Sequence, residues 1–373
     1  MKLPGLTSEQ EMLSDSAAKF LAREWGDGSE LRRTQGAYAT PAHWSAMAEL
    51  GWLGIGLPED CGGAGGALET MLLMERFGAS LFASPFLSSV VLCGRMIADG
   101  TQGARRRETL DSIVGGRQRL AFAGYEGGRA PLHDVGTTAT RAGDAYVLRG
   151  RKIVVLDGTE ADALVVLART SGARTDTSGL TLFLVPASLP GVVRQPCTTY
   201  DGRRAADVRF DDARLSHDAA IGPADGAWPI VQDAIDRAIV AVCAEALGAM
   251  DAAVALTLDY LKTRKQFGRA IGTFQALQHR IVDAYVATEE SRSMVVAAAV
   301  ALDGPGARRR RMVHAAKIFV GNAARLVAEE CVQMHGGVGI ADEFVIGHYF
   351  KRLLAIDALF GDADEHAGAF PLN

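Results

Sequence analysis

The sequence predicts an α+β protein in which a helical segment, a strand-rich segment and a second helical segment follow one another. Residues 1 to about 119 carry apolar side chains at helical spacing, and the stretch to about residue 210 contains short β-branched runs bounded by turn residues. From about residue 227 the pattern returns to long helices with one broad apolar face. We therefore expect three domains, at 1–119, 120–225 and 226–373.

The composition is that of a globular protein, since 48% of the 373 residues are hydrophobic and 22% are charged. The formal net charge of -5 gives no basic footprint, so nucleic acid and anionic membranes are not expected partners. Five scattered cysteines without a Cys-x-x-Cys pair fit a reducing compartment. We find no apolar signal core and no apolar run long enough to span a bilayer, and expect a cytoplasmic protein without membrane insertion.

Local signals predict where the elements begin and end. Thr7 and Gln10 form a capping-box pair ahead of a helical pattern, and Leu68–Phe77 is again helical. The glycine-rich stretch Glu49–Gly63 predicts a loop with a short extended piece, and Gly143–Asp144 predicts a hairpin turn. The predicted strands are Tyr146–Leu148, Lys152–Leu156, Ala163–Ala168 and Leu180–Val185, and the predicted long helices are Ile235–Thr263, Phe274–Leu302 and Arg308–Met334.

Two segments near the C-terminus have the composition of a phosphate-binding surface. The first reads Arg264-Lys-Gln-Phe-Gly-Arg-Ala-Ile-Gly-Thr-Phe-Gln275, and the second reads Gln333-Met-His-Gly-Gly-Val-Gly339. Arginine pairs bidentately with phosphate oxygens, and adjacent glycines let backbone N–H groups approach a phosphate closely. Alternatively, the arginine could only favour the helix dipole and the glycines could only end a helix. We interpret His335 as structural rather than catalytic.

The two segments occur in this order and adjoin predicted helices. Together they resemble the flavin-binding half of the acyl-CoA dehydrogenase family. Leu50–Glu59 with Cys61–Gly63 is similar to the family's N-terminal signature, so the resemblance covers nearly the whole chain. It implies the family's fold: an N-terminal helical domain, a middle β-barrel-like domain and a C-terminal four-helix bundle. It also implies FAD rather than a nicotinamide cofactor, and no Gly-x-Gly-x-x-Gly follows a strand here.

The resemblance further implies an acyl-CoA thioester substrate, whose α-proton goes to a carboxylate while a hydride leaves the β-carbon for FAD. Electrons would then pass to an electron-transfer flavoprotein or another acceptor. The implied FAD-binding residues are Arg264, Phe267, Gln275, Gln333, Gly336, Gly337 and Asp362. In the family all of these except the last reach the flavin of a neighbouring chain, so we expect a homo- or hetero-oligomer, most simply a dimer of dimers. No metal is expected, because the Asp211–Asp212 and Asp362/Asp364 pairs lack His or Cys ligands and resemble turn-formers.

The position of the catalytic base is altered. The family usually carries a glutamate before a glycine about two dozen residues after the His-Gly-Gly, and here Phe360 precedes Gly361. The alternative family position lies at the start of the first long C-terminal helix, where the nearest carboxylate is Asp236. An ungapped count places that position at Ala238, so Asp236 is either the base or a solvated helix carboxylate. Glu245 is interpreted as a helix-face or salt-bridge residue.

In the family, three segments hold the chain's own flavin ring, and here most of their characteristic residues are replaced. They correspond here to Gly124–Pro131, Val154–Leu156 and Phe360–Asp362. Glu126 survives, whereas the stacking aromatic and a hydroxyl are replaced by Val154 and Leu156.

Three functions stay open at this point. The chain is a dehydrogenase subunit that works with a catalytic partner, a stand-alone flavoprotein with altered chemistry, or a flavin-free scaffold or binding protein. Gly347–Arg352 followed by Leu359–Asp364 is similar to small subunits of two-component enzymes that act on dicarboxyl-CoA (pimeloyl-CoA type) or steroid side-chain CoA esters.

Overall fold

The structure is a computed structural model that describes residues 5–26, 38–128 and 130–370. The predicted α+β class is confirmed, because helical segments precede and follow the strands of a mixed sheet along the chain. The chain divides into two compact units, which are described separately. The helical unit comprises Met1–Tyr38, Ala67–Ala83 and Ile239–Asn373, and the strand unit comprises Ala39–Gly66 and Ser84–Ala238. The division falls inside one long helix.

The α-helices of the described residues are α1 (Ser8–Glu24), α2 (Pro41–Glu49), α3 (Ala67–Ala79), α4 (Arg95–Gly100), α5 (Gly103–Val114), α6 (Trp228–Thr263), α7 (Gln275–Ala301), α8 (Gly306–His335), α9 (Ile346–Ala358) and α10 (Ala363–Gly368). The strands are β1 (Leu120–Ala123), β2 (Thr138–Ala142), β3 (Ala145–Leu156), β4 (Ala163–Arg169), β5 (Leu180–Pro186), β6 (Val192–Thr198), β7 (Arg204–Ser216), β8 (Ala220–Ile221), β9 (Lys265–Gln266) and β10 (Arg269–Ala270).

The first helix begins where its cap predicts. The Thr7 side chain accepts from Gln10 N, and the Gln10 side chain accepts from Thr7 N, so the capping box is complete. Helix α3 extends the predicted Leu68–Phe77 by a residue or two at each end.

In the helical unit, α3 and α6 cross with their backbones in contact. A Cβ on Gly78 would lie 1.8 Å from the Glu245 carbonyl oxygen, and a Cβ on Gly248 would lie 1.8 Å from the Glu75 carbonyl oxygen. Only glycine allows this approach at either position. Two buried ion pairs flank the crossing, between Glu245 and Arg352 and between Glu75 and Arg292.

The strand unit is built on a mixed eight-stranded sheet. Its order is β6-β7-β3-β2-β4-β5-β8, with β1 pairing in parallel to β4. The β2–β4 contact is also parallel, and the other neighbours are antiparallel. The predicted Gly143–Asp144 turn joins β2 to β3 as a two-residue hairpin, with Ala142 paired to Ala145.

Several predicted elements differ from the observed ones. Tyr146–Leu148 and Lys152–Leu156 are parts of one strand, β3, because β7 pairs along its whole length across two irregularities in register. The Glu49–Gly63 stretch contains two short 3₁₀ turns, Trp52–Gly54 and Glu59–Cys61, rather than a simple loop. A fully buried π-helical segment, Phe86–Gly94, was not predicted, since continuous apolar sequence does not reveal a change of helical period.

The three long C-terminal helices are confirmed, and α6 begins earlier than the predicted Ile235. The expectation that no apolar run could span a bilayer is wrong for α6. By length and composition alone this helix is able to cross a membrane. However, 78% of its most apolar 18-residue window is buried inside the protein, as in a core helix.

Candidate flavin and acyl-CoA site

The first predicted cofactor segment forms an exposed hairpin at the end of α6. Strands β9 and β10 pair across a turn made by Phe267 and Gly268, whose φ angles are 52° and 77°. This left-handed turn leaves the Phe267 side chain 89% exposed. Arg264 and Gln275, which precede and follow the hairpin, are also exposed. An aromatic ring held in water by a strained turn is typical of a contact surface rather than of a core.

The second segment follows α8, which ends at His335. Gly336 has a φ of 63°, and a Cβ on Gly336 or Gly337 would meet nothing within 4 Å. The space beside the Cα atoms of these glycines is therefore open, and a ligand could approach the backbone closely there. The Gly336 N–H itself already donates to the Gln333 carbonyl oxygen. Gln333 lies one turn earlier on α8 and is exposed.

Tyr260 brings the two segments together in the helical unit. Its ring stacks on the His335 imidazole with centroids 4.4 Å apart, and its hydroxyl donates to the His335 carbonyl oxygen at 3.4 Å. Since Tyr260 lies one helical turn before Arg264, the arginine and the glycines flank one shared surface. Sequence reasoning missed Tyr260, although its four-residue spacing from Arg264 was visible.

His335 is placed as the sequence indicated, in a structural position. It is 3% exposed, and its Nδ1 lies 2.8 Å from the Cys331 carbonyl oxygen, to which it donates. Burial lowers the pKa of His335, so the imidazole stays neutral at physiological pH.

These residues fit the diphosphate of a dinucleotide. Within the described parts of the chain, the exposed Arg264 guanidinium has no carboxylate partner, and Tyr260, one turn before it, contacts His335 at the start of the glycine segment. An exposed cation, together with glycines whose Cα atoms are unobstructed, makes a surface that a phosphate can approach closely. Arg264, Gln275, Gln333, Gly336 and Gly337 would hold FAD in this way, with Phe267 as the apolar contact.

The turn between α9 and α10 carries Phe360 where the family has its glutamate. Phe360 has a φ of 62° and Gly361 a φ of 96°, so the backbone is left-handed at both positions. Asp362, predicted to contact the flavin, caps α10 by accepting from Glu365 N at 2.9 Å. Capping engages one of its carboxylate oxygens, and its flavin role stays a prediction.

Asp236 lies on α6 in the strand unit and is only 6% exposed. The expectation of a solvated helix carboxylate is therefore wrong. Its neighbour Arg237 pairs with Asp233 one turn earlier, at 2.9 Å. Ala238, the position given by an ungapped count, is fully buried and has no proton-accepting group.

Glu245 is a salt-bridge residue, as interpreted from the sequence. Both of its carboxylate oxygens accept from the Arg352 guanidinium, at 2.8 and 2.7 Å, and it is fully buried. A bidentate pair buried in this way neutralises the carboxylate and fixes its position, so Glu245 has a structural role.

The retained Glu126 is explained by an ion pair in the strand unit. The fully buried Lys152 donates to Glu126 Oε1 at 2.7 Å and to the Gly124 carbonyl oxygen at 2.8 Å. The N–H groups of Gly136 and Thr137 donate to the same carboxylate. Burial lowers the pKa of Lys152 to about 8, against the opposing effect of Glu126. Glu126 and Lys152 thus tie Gly124 to Gly136 and Thr137.

Val154 occupies an irregularity of β3, where its φ is 47° and its side chain is 46% exposed. Its N–H donates to Asp207 Oδ1 at 3.0 Å. This hydrogen bond helps to hold the left-handed backbone at Val154.

No group of three or more His, Cys, Asp or Glu side chains in the described ranges could hold a metal ion. Asp211 and Asp212 lie in β7 rather than in a turn, and they pair with Arg209 and Arg149.

The fold, a mixed sheet between two helical segments of the chain, defines the class of α+β protein to which the chain belongs. Sequence models of the acyl-CoA dehydrogenase N-terminal, middle and C-terminal domains match residues 7–117, 125–213 and 225–367 in turn. The chain therefore belongs to the acyl-CoA dehydrogenase family. It is an oxidoreductase of that family, whose enzymes bind FAD and act on acyl-CoA.

Individual relatives agree with this assignment. The acyl-CoA dehydrogenase FadE12 of Mycobacterium tuberculosis is 29% identical over 346 residues, which cover 91% of this chain and 88% of that protein. A variant of the Tcur3481–Tcur3483 steroid ACAD has a TM-score of 0.86 at 29% identity, covering 97% of this chain and 96% of its own. The ChsE4–ChsE5 complex from Mycobacterium tuberculosis has a TM-score of 0.87 at 26% identity, covering 98% and 96%.

Proposed function

We propose that this chain is the partner subunit of a mixed acyl-CoA dehydrogenase assembly and supplies half of a flavin site to a catalytic chain. The observation that carries the proposal is a contrast between two parts of the chain. Phe360 occupies the position of the family's catalytic base, whereas the surface around Arg264 and Gly336 keeps the family's residues and is exposed. Phenylalanine cannot accept a proton. The similarity to the ChsE4–ChsE5 complex, which is named for two different subunits, supports a two-component organisation.

Exposed apolar side chains on two long helices support an oligomer. On α7 these include Val282, Tyr285 and Val286, and on α8 they include Phe319 and Leu326. Val282 lies three and four residues before Tyr285 and Val286, and Phe319 lies seven residues before Leu326, so each set forms a stripe of the kind that packs against a further helix. We propose a dimer of dimers in which these stripes are covered.

When bound, FAD accepts the hydride that leaves the substrate β-carbon. The role of this chain is to hold the flavin diphosphate through Arg264, with Gly336 and Gly337 allowing close approach of the backbone. In a mixed pair, α-proton removal belongs to the other subunit. An electron-transfer flavoprotein is the proposed electron acceptor. The three-domain division at 1–119, 120–225 and 226–373 and the cytoplasmic location remain predictions from the sequence pattern.

Flavin stoichiometry tests the assembly. The chain should be purified alone and together with a second family member, and flavin absorbance combined with sedimentation. We expect one flavin per mixed pair. One flavin per chain in an active homo-oligomer would favour the stand-alone enzyme instead. A monomer with a full flavin content at micromolar concentration would contradict both, and an assembly that binds no flavin would indicate a scaffold.

Replacing Arg264 with alanine should weaken FAD binding by about 1.5–3 kcal/mol, the contribution of a hydrogen bond to a charged group. The measurement is FAD affinity of the assembled protein by fluorescence titration. Lys262→Ala, at an exposed residue in the last turn of α6, is the matched control and should leave the affinity unchanged. Full FAD occupancy of Arg264→Ala at limiting FAD would show that the guanidinium does not contact the cofactor.

A stand-alone activity would use Asp236, which is buried, or no carboxylate at all. If the chain alone is active, Asp236→Asn should lower kcat by ~10²–10⁴-fold, the usual contribution of a general base. Asp233→Asn, one turn earlier, is the control for loss of a helix carboxylate. Equal activity of Asp236→Asn and the native chain would remove Asp236 from the mechanism.

A further inference from the structure

The hairpin that follows α6 is braced by its own side chains. The Phe267 and Phe274 rings meet edge to face with centroids 6.1 Å apart, and the Arg269 guanidinium lies over the Phe274 ring at 4.1 Å. Beyond the hairpin, Gln278 Nε2 donates to the Gly272 carbonyl oxygen at 2.9 Å. All of these contacts lie within residues 267–278, so the hairpin has a defined shape of its own.

The glycine segment is folded against the end of α8. The Gly336 N–H donates to the Gln333 carbonyl oxygen, and Gly336–Ile340 forms a 3₁₀ turn. A Cβ on Gly339 would lie 2.7 Å from the Val332 carbonyl oxygen, so this turn approaches the helix more closely than any residue with a Cβ allows. The segment is therefore a second part of defined shape, and it is fixed to α8 rather than to the hairpin.

Three rings, called the ring cluster below, connect the two parts. The centroid of the His335 ring lies 4.4 Å from that of Tyr260 and 5.1 Å from that of Phe344, and the Tyr260 and Phe344 centroids are 6.4 Å apart. The Arg264 N–H donates to the Tyr260 carbonyl oxygen at 2.8 Å, which ties the start of the hairpin to one ring. His335 directly precedes Gly336, so the next ring is tied to the start of the glycine segment.

The chemistry of His335 suits it to stacking. Its Nδ1 donates to the Cys331 carbonyl oxygen, whereas its Nε2 is buried without a hydrogen-bond partner among the described residues. Burial lowers the pKa of this imidazole, so the ring is neutral and presents uncharged faces to its aromatic neighbours. Leaving a buried ring nitrogen unpaired costs free energy. The stacking and the Nδ1 hydrogen bond therefore hold the ring in place, and Nε2 does not contribute.

We propose that Tyr260 is a positioning residue, which acts through the ring cluster to fix the spacing between Arg264 and the backbone of Gly336 and Gly337. Without the cluster, the hairpin and the glycine segment would each keep their shape but lose their mutual register. In this role Tyr260 does not contact FAD. The inference rests on the proposed function, because it takes both segments to meet one flavin diphosphate. It implies that Tyr260 and Arg264 are energetically coupled in FAD binding.

The test is a double-mutant cycle on FAD affinity, measured by fluorescence titration of the assembled protein. Tyr260→Leu removes the ring, and Tyr260→Phe keeps the ring without its hydroxyl. Both are made in the native chain, and Tyr260→Leu is also made in the Arg264→Ala background. Tyr349→Leu is the matched control, because Tyr349 is a buried tyrosine of the same helical unit whose hydroxyl also donates to a backbone carbonyl, that of Ala79.

We expect Tyr260→Leu to weaken FAD binding about three- to tenfold, the fold-change that corresponds to one aromatic pair. Tyr260→Phe should bind FAD almost as the native protein does, because it loses only a long hydrogen bond of 3.4 Å. In the Arg264→Ala background, Tyr260→Leu should change the affinity by less than about twofold, since no second contact is left to align. Tyr349→Leu should lower stability and leave FAD affinity unchanged. Should Tyr260→Leu fail to fold, Phe344→Leu removes a half-buried ring of the cluster and gives the same comparison.

Native FAD affinity in Tyr260→Leu would overturn the inference, because the ring cluster would not position the site. Equal losses with and without Arg264 would also overturn it, since Tyr260 would then act independently of the arginine. The same holds if Tyr260→Phe binds as weakly as Tyr260→Leu, or if Tyr349→Leu weakens FAD binding as much. A native protein that binds no FAD in any assembly would instead defeat the proposed function, and the role of Tyr260 with it.

Discussion

Replacing Phe360 with glutamate is expected to raise the rate of acyl-CoA dehydrogenation by ~10²–10⁴-fold, the contribution of a well-placed general base. The backbone for such a residue is present, since Phe360 and Gly361 already have the left-handed φ angles of the turn. The new carboxylate would therefore start from the position of the family's base without refolding of the loop. The measurement is the turnover of an electron-acceptor dye with a series of acyl-CoA esters.

Phe360→Gln is the matched control, because glutamine has the same shape as glutamate but does not accept the α-proton at neutral pH. We expect no gain from it. If Phe360→Glu folds and binds FAD but shows no more activity than Phe360→Gln, then this chain lacks other residues needed for catalysis besides the base. The replaced positions Val154 and Leu156 would then be the next to restore.

Replacing Arg352 with methionine should lower the free energy of unfolding by about 3–5 kcal/mol, the usual cost of leaving one charge of a buried pair alone. Glu245 and Arg352 are both almost fully buried and bonded through two short contacts. The loss is large because the Glu245 carboxylate has no access to water, and α3 crosses α6 in backbone contact beside it. Chemical denaturation monitored by circular dichroism measures the change.

The control for this prediction is the double variant Glu245→Leu with Arg352→Met, which removes both charges. Since an apolar pair of similar volume replaces a buried ion pair at little cost, it should be far less destabilised than Arg352→Met alone. Equal losses in the single and double variants would show that packing, and not the unpaired charge, dominates at this position.

Features that depend on residues close together in the chain could be predicted from the sequence. Thr7 and Gln10 are three residues apart, and the capping box they predict is present. The family assignment was equally accessible, because the segments after Arg264 and Gln333 are each contiguous. The exposed Phe267 follows from the same motif, whose glycine permits the tight turn.

Features that join distant parts of the chain were not accessible. Tyr260 meets His335 across 75 residues, and His314 meets His366 across 52. The burial of Asp236 was missed for the same reason, because an isolated carboxylate on a helix gives no sign of which face it occupies. Only tertiary packing determines whether such a group is solvated, paired or desolvated.

The exposed hairpin at Phe267 has a consequence for how the cell must make this protein. Phe267 is 89% exposed and Ile340 is 81% exposed, so a newly made chain presents large apolar groups to water until they are covered. Such surfaces promote aggregation and recognition by chaperones and proteases. For a partner subunit, copy number would therefore be set by the other subunit: excess chains would be removed, and matched synthesis of the two would determine the yield of active enzyme.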